Sequence, residues 1–351
     1  MPQKIKIASE PAPDLFRDIR LWLWIVAAGI LAMVVVGGAT RLTESGLSIT
    51  EWKPLTGVVP PLHEGEWREA FEKYQQIPQY RELFPDMDLA RFKTIYLWEW
   101  SHRLLGRLIG VVFALPFLWF LLRGKIVGDL RWRLAGIFAL GALQGFVGWW
   151  MVSSGLINRV EVAQERLATH LLLASITFVA VLWTAAGLVP GYRDSLGPNA
   201  ARLRREAGAI LGLALFQIGL GGLVAGLRAG LVYNDWPLMA GRFIPPANQL
   251  FNLTPWAANF LDNATLVQFM HRMTAYLLLA LALLHALHAR APTLGKRAAR
   301  RADLLAALVV VQAGLGITTL ILVVPLWAAM AHQATAMAVL GVAVIHRRKM
   351  D

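Results

Sequence analysis

Eight stretches of about 20 mainly apolar residues organise the 351-residue chain. They run over roughly 21–40, 99–121, 133–152, 166–188, 207–226, 266–289, 303–324 and 327–346. A helix of that length spans the ~30 Å hydrocarbon core of a bilayer. In lipid the backbone must satisfy its own hydrogen bonds, so each stretch is expected to be a transmembrane helix. The first, 21–40, is long and is followed by a long loop, which suits a retained first helix better than a cleaved signal. Composition agrees: 16% of residues are charged, against about 25% in soluble domains. The expected fold is an all-α polytopic membrane protein.

Lys and Arg set the orientation. With the N-terminus inside, the inner segments hold 20 of the 34 basic residues and the outer loops hold 11, seven of them in the single long loop 41–98. The short outer loops carry only Arg159, Arg166, Arg228 and Arg242. This is a positive-inside pattern with both termini cytoplasmic. The net charge of +12 is therefore mostly topology. The basic residues are dispersed over separate segments, which argues against nucleic acid as a partner.

The two halves of the chain repeat. Gly37-Gly38, Trp52-Lys-Pro-Leu and Pro60-Pro61 are matched by Gly221-Gly222, Trp236-Pro-Leu and Pro245-Pro246. His102-Arg103 opens the second span and His271-Arg272 the sixth. Gln144-x-x-x-Gly148 recurs as Gln312-x-x-x-Gly316, and His170 as His332. The expected architecture is two pseudo-symmetric four-helix bundles related by a parallel repeat. The units are residues 21–188 with the outer loop 41–98, and residues 207–346. A cytoplasmic segment 1–20, a linker 189–206 and a tail 347–351 complete the chain.

Four of the eight histidines, His102, His170, His271 and His332, lie near the outer ends of even-numbered spans, two per repeat. Ionisable groups within a membrane are functional candidates. Two imidazoles inside a four-helix bundle suit haem iron, since bundle cores hold cofactors and His is a standard axial ligand. Zinc would want more ligands. The chain has no cysteine, which excludes disulfides, thiolate zinc sites, Cys-held clusters and a thiolate-ligated haem. Arg103 and Arg272 each follow a candidate ligand and suit either a haem propionate or the interface. His63 lies in the outer loop, and His285, His288 and His346 near inner helix ends.

One position separates the halves chemically. Glu99 precedes His102 by three residues, one helical turn, whereas the matching residue before His271 is Gln268. A carboxylate at that depth is costly unless used or paired. It can act as acid or base, or stabilise a developing cation. The asymmetry points to a reactive haem site in the first half and an electron-transfer or structural site in the second.

With those residues in view, nearly the whole chain resembles haem A synthases of the proteobacterial and mitochondrial type. The resemblance is carried by Gly37-Gly-Ala-Thr-Arg-Leu-Thr-Glu-Ser-Gly-Leu-Ser48, Trp52-Lys-Pro-Leu-Thr-Gly57, Phe92-Lys-Thr-Ile-Tyr96, Glu99-x-x-His102-Arg103 and Gln144-x-x-x-Gly148. It implies an oxidoreductase of the inner membrane that converts the C8 methyl of haem O to the formyl group of haem A, for cytochrome c oxidase biogenesis. It further implies His102 and His170 as ligands of the substrate haem, and His271 and His332 as ligands of a haem b cofactor. Glu99 is implied as the essential carboxylate. Haem O synthase and oxidase assembly factors are implied partners, with an electron acceptor unidentified. The outer-loop cysteine pair of some Gram-positive members is absent.

Two other classes are weighed. A di-haem b-type electron carrier linked to quinol explains the histidines but not Glu99 against Gln268. A haem transporter would want a Trp-Asp cluster, of which Asn234-Asp-Trp-Pro237 is only an echo. In loop 41–98, Trp67 to Tyr80 has helical periodicity with Trp67, Phe71 and Tyr74 on one face. That pattern suits an amphipathic helix on the membrane surface, covering the first haem site, or a solvated loop helix.

Overall fold

The computed structural model describes residues 16–53, 56–189, 200–290 and 295–351. Lys4, Lys6, Arg193, most of the linker 189–206 and Pro54-Leu55 lie outside the described residues. Among the described residues twelve α-helices follow in chain order. They are α1 (Arg17–Leu42), α2 (Glu64–Gln75), α3 (Pro78–Leu83), α4 (Leu89–Leu122), α5 (Asp129–Ser153), α6 (Gln164–Gly187), α7 (Ala200–Gly226), α8 (Ala247–Leu250), α9 (Asn259–Asp262), α10 (Ala264–Ala289), α11 (Lys296–Ile321) and α12 (Leu326–Lys349). Eight of them, α1, α4, α5, α6, α7, α10, α11 and α12, are long and apolar enough to cross a membrane. Among the described residues the one β pairing is an isolated bridge between Met239 and Arg242.

The two helices that follow the longest outer loops begin alike. Asp88 caps α4 by accepting from the Arg91 amide at 2.8 Å, and Asn263 caps α10 by accepting from the Leu266 amide at 3.1 Å. A cap of this kind satisfies an amide that the helix itself leaves orphaned. At 34 residues, α4 is about 51 Å long, far longer than a hydrocarbon core. The sequence-derived span 99–121 is its inner part. Its first turns extend beyond that span and pack in one apolar cluster with α2 and α3.

The apolar face expected on Trp67, Phe71 and Tyr74 is therefore used within the protein. Phe71 and Tyr74 pack against Phe92 at ring-centroid distances of 4.9 and 5.4 Å, and Trp67 meets Tyr96 edge-on at 5.1 Å. Tyr74 and Phe92 are fully buried. Pro78 ends the single helix imagined from the periodicity, splitting it into α2 and α3, since proline lacks the amide that would continue it.

Within each half the helices contact one another in a ring: α1–α4–α5–α6 and α7–α10–α11–α12. The rings meet through α1 with α12, α6 with α7, and α6 with α12. The largest apolar core draws buried side chains from all eight long helices, among them Leu23, Phe113, Leu134, Leu182, Ile210, Leu278, Leu305 and Leu340. The halves thus share one core, so neither bundle buries its own apolar stripes alone.

The repeated glycine pair explains how they close up. Gly37 and Gly221 face a histidine of their own half, whereas Gly38 and Gly222 face the other half. A Cβ on Gly38 would overlap the end of the Gln333 side chain from α12. One on Gly222 would come within 2.7 Å of the Ala168 Cα on α6. These contacts predict different costs. Gly222→Ala strains backbone against backbone and should destabilise by about 1–3 kcal/mol. Gly38→Ala displaces a flexible amide and should cost about 1 kcal/mol, the bond from Gln333 to the Val34 carbonyl. Thermal unfolding of the two purified variants in detergent gives the ranking.

Candidate haem sites

The structure places the four candidate ligands on two equivalent frames. In the first half, His102 extends from α4 toward Gly37 on α1, and His170 from α6 toward Gly148 on α5. A Cβ on Gly37 would lie 3.3 Å from the His102 ring, and one on Gly148 only 2.9 Å from His170 Cε1. In the second half, His271 of α10 faces Gly221 of α7 and His332 of α12 faces Gly316 of α11, with corresponding distances of 3.5 and 2.9 Å. Glycine at these points leaves the width that an imidazole needs between two helices. His102 is within electrostatic reach of His170, and His271 of His332.

Glutamines hold the rings. Gln144 Nε2 lies 3.1 Å from His170 Nδ1, Gln312 Nε2 lies 3.1 Å from His332 Nδ1, and Gln217 Nε2 lies 3.2 Å from His271 Nδ1. The Oε1 atoms of all three glutamines are buried without a hydrogen-bond partner. A buried acceptor left unpaired is costly. An imidazole bound to iron through Nε2 carries its proton on Nδ1, and that N–H needs an acceptor. Exchanging the two ends of the Gln312 amide supplies one, whereas Gln144 and Gln217 also donate through Nε2 to the His170 and His271 carbonyls at 3.0 Å, which fixes those amides as they stand. Among the described residues, no group of three or more His, Cys, Asp or Glu could hold a bare metal ion. Paired imidazoles without a third donor suit iron whose equatorial ligands come with it, as in haem. The first half lacks a fourth glutamine: Met33 occupies the position on α1 that matches Gln217 on α7.

Glu99 is buried, and its carboxylate is fully engaged. Oε2 accepts from the Ser48 hydroxyl at 2.8 Å and the Ile49 amide at 2.7 Å. Oε1 accepts from Arg103 Nε at 3.0 Å and Nη2 at 2.6 Å. Arg103 also donates to the carbonyls of Ile49 and Glu51 at 2.8 and 3.0 Å. The pair fastens the strand-like stretch after α1 over the outer end of α4. Glu51 continues this edge. Hydrogen bonds from Lys53 and Lys73 hold its carboxyl below the ordinary range. Its contribution to loop stability is present above that range and lost as pH falls through the lowered value.

The second half uses the same device without the charge. Gln268 Nε2 donates to the Tyr233 carbonyl at 2.9 Å, and Arg272 donates to the carbonyls of Tyr233, Asp235 and Leu238 at 2.9–3.0 Å. Arg103 thus divides its donors between Glu99 and the loop that covers its half, and Arg272 gives its two terminal nitrogens to its own loop while its Nε is buried without a hydrogen-bond partner. Sequence spacing placed Glu99 with His102, one turn on. The structure places it with Arg103, at i+4, and with a segment 50 residues earlier.

The inner histidines, read as scattered, come together. His285 Nε2 lies 2.8 Å from His346 Nε2, and His285 Nδ1 lies 2.9 Å from Glu206 Oε2. His288 Nδ1 meets Glu206 Oε1 at 2.8 Å, and Arg202 Nε donates to the same oxygen. His285 and His346 are fully buried. The visible signal was Glu206, an acid following Arg202, Arg204 and Arg205, with His285 and His288 at i,i+3 spacing. His63 stays apart, at the start of α2.

Known proteins resemble the whole chain. Residues 20–344 match the model of the COX15-CtaA family, described as cytochrome oxidase assembly protein. A protein of Beijerinckia indica subsp. indica named heme A synthase is 58% identical over 335 residues, 95% of this chain and 93% of its own length. One of the same name from Methylobacterium sp. (strain 4-46) is 57% identical over 348 residues, covering 99% and 95%. Another from Bradyrhizobium sp. (strain ORS 278) is 56% identical over 333 residues, covering 95% and 91%.

The glycine–imidazole contacts make a direct prediction. Gly316→Ala should displace the His332 ring and cut any haem bound between His271 and His332 at least tenfold, leaving the fold intact. Gly148→Ala should do the same in the first half. Haem content and low-spin absorption of the purified variants report each site separately.

Proposed function

The chain belongs to the COX15-CtaA family of cytochrome oxidase assembly proteins, and we propose that it oxidises haem O to haem A. In this reading the first half takes haem O between His102 and His170. The second half keeps a haem b between His271 and His332. The observation that carries it is the contrast at matched positions: a buried Glu99–Arg103 pair beside one bis-histidine site, and neutral Gln268 with Arg272 beside the other. An electron carrier with two equivalent haems leaves that contrast without a purpose.

The division between substrate and cofactor has further support. Both imidazoles of the second half are touched by a glutamine, which suits a group that stays. In the first half only His170 is, and Met33 stands where the other amide would be. Fewer polar contacts suit a haem that must enter and leave.

The reaction at C8 is R–CH3 + H2O → R–CHO + 4 H⁺ + 4 e⁻, with the oxygen taken from water and the electrons passed to an acceptor. When bound, haem b supplies a one-electron relay. The residues of the chain handle position and protons. His102 and His170 fix the substrate iron. Ser48, the Ile49 amide and Arg103 hold the Glu99 carboxylate in place one helical turn before His102. A buried carboxylate whose donors can be exchanged for a reacting water can accept the protons that leave with the electrons. The segment 48–51 and α2 above it exclude bulk water, so hydration is limited to what the site admits.

The positive-inside count supports a topology with both termini in the cytoplasm and the four histidines toward the outer face. Expression with a haem O source, followed by chromatography of extracted haems, tests the reading: haem A should form. Haem O persisting with an electron acceptor present, or haem b alone in the extract, overturns it. Glu99→Gln should lower the haem A yield 10²–10⁴-fold, the range for loss of a general base, with both haem sites still filled. In ¹⁸O-labelled water the formyl or hydroxymethyl product should carry the label.

A further inference from the structure

Below the first haem site, the membrane-facing side of the protein opens into a groove of about 630 Å³ between α5 and α6. On α5 its lining includes Leu140, Ile137, Gly136 and Arg133. These lie 4, 7, 8 and 11 residues before Gln144 and continue the stripe that carries Gln144 and Gly148. On α6 it begins at Ile176 and ends near Trp183, about 9 to 20 Å below His170 along the helix. Arg348 of α12 closes the inner mouth, its guanidinium over the Trp183 ring at 5.1 Å. The walls between the mouth and the haem site are aliphatic. Gly136 contributes none: a Cβ there would meet nothing within 4 Å.

The repeat supplies an internal comparison. Aligning Gln144 with Gln312 puts Leu304 of α11 where α5 has Gly136. The second half thus carries a leucine at the position that the first half leaves bare. The haems differ in the same sense: haem O bears a hydroxyethylfarnesyl tail on its porphyrin and haem b does not.

We propose that the α5–α6 groove binds the farnesyl tail of the substrate and lets the first half distinguish haem O from tail-less haem. This rests on the reading that the first half takes haem O. The groove starts about 9 Å along α6 from His170, at Ile176. It is aliphatic over the depth of the tail, and Gly136 and Ile176 are exposed along its open side. A tailed haem can therefore slide in from the bilayer with its tail already in apolar surroundings.

The test uses full-length protein with its second site loaded with haem b, titrated with haem O and with haem B and followed by low-spin absorption. Wild type should bind haem O at least tenfold more tightly than haem B. Gly136→Leu, which copies the second half, should abolish that preference by weakening haem O alone, with haem B affinity and second-site haem unchanged. Gly136→Ala should behave as wild type. Ala180→Phe, from the opposite wall, should reproduce the leucine variant. Equal affinity of the wild type for both haems overturns the proposal, as does an intact preference in both bulky variants. A co-purifying phospholipid lost from Gly136→Leu, with haem O binding untouched, assigns the groove to lipid and overturns it too. Failure of the wild type to bind haem O at all overturns the parent reading, a result distinct from each of these.

Discussion

An imidazole needs more width between two packed helices than ordinary side chains leave. Four glycines provide it: Gly37, Gly148, Gly221 and Gly316, each against one histidine. The remaining architecture follows from that exchange. Away from these contacts the long helices meet in a shared apolar core drawn from all eight. The second glycine of each pair, Gly38 or Gly222, turns the same closeness outward and joins the two halves. Spacing for ligands and spacing for assembly are thus set by adjacent residues on one helix.

The outer surface is held by a different principle. In each half an arginine one residue beyond the ligand gathers the carbonyls of the loop that covers its bundle. A buried guanidinium is tolerated where its donors meet acceptors in fixed geometry. In the first half Glu99 joins this arrangement and removes the net charge. The structural role of Glu99 and the chemical role proposed for it are therefore linked: the contacts that anchor residues 48–51 also occupy both oxygens of its carboxylate. The outer face between the halves is similarly tied, with Arg41 and Arg228 both bound to Glu161, and Arg228 also to Glu44.

Among the many differences between the halves, three at matched positions bear on the difference in use proposed for them. Glu99 against Gln268 changes the charge beside the ligand. Met33 against Gln217 changes the polar contacts of the neighbouring histidine. Gly136 against Leu304 changes the side chain two turns before the matched glutamine.

Much of this was legible in the chain itself. Lipid leaves the backbone no hydrogen-bond partners but its own, so apolar runs of fixed length reveal the eight long helices directly. The repeat, the four outer histidines and the Glu99/Gln268 contrast follow from residue identity and order. Tertiary structure decided what depends on which surfaces meet. It set Glu99 against Arg103 and Ser48 rather than toward His102, because a buried carboxylate takes the donors nearest in space. It turned the aromatic face of α2 onto α4, whose outer turns run beyond any apolar stretch. It joined His285, His288, His346 and Glu206 from three helices whose relative rotation no local pattern encodes. The sequence thus determined which residues lie at which depth, since lipid reads hydrophobicity along the chain. The rotation of each helix about its axis, and with it every side-chain partner, was settled only by packing against the others.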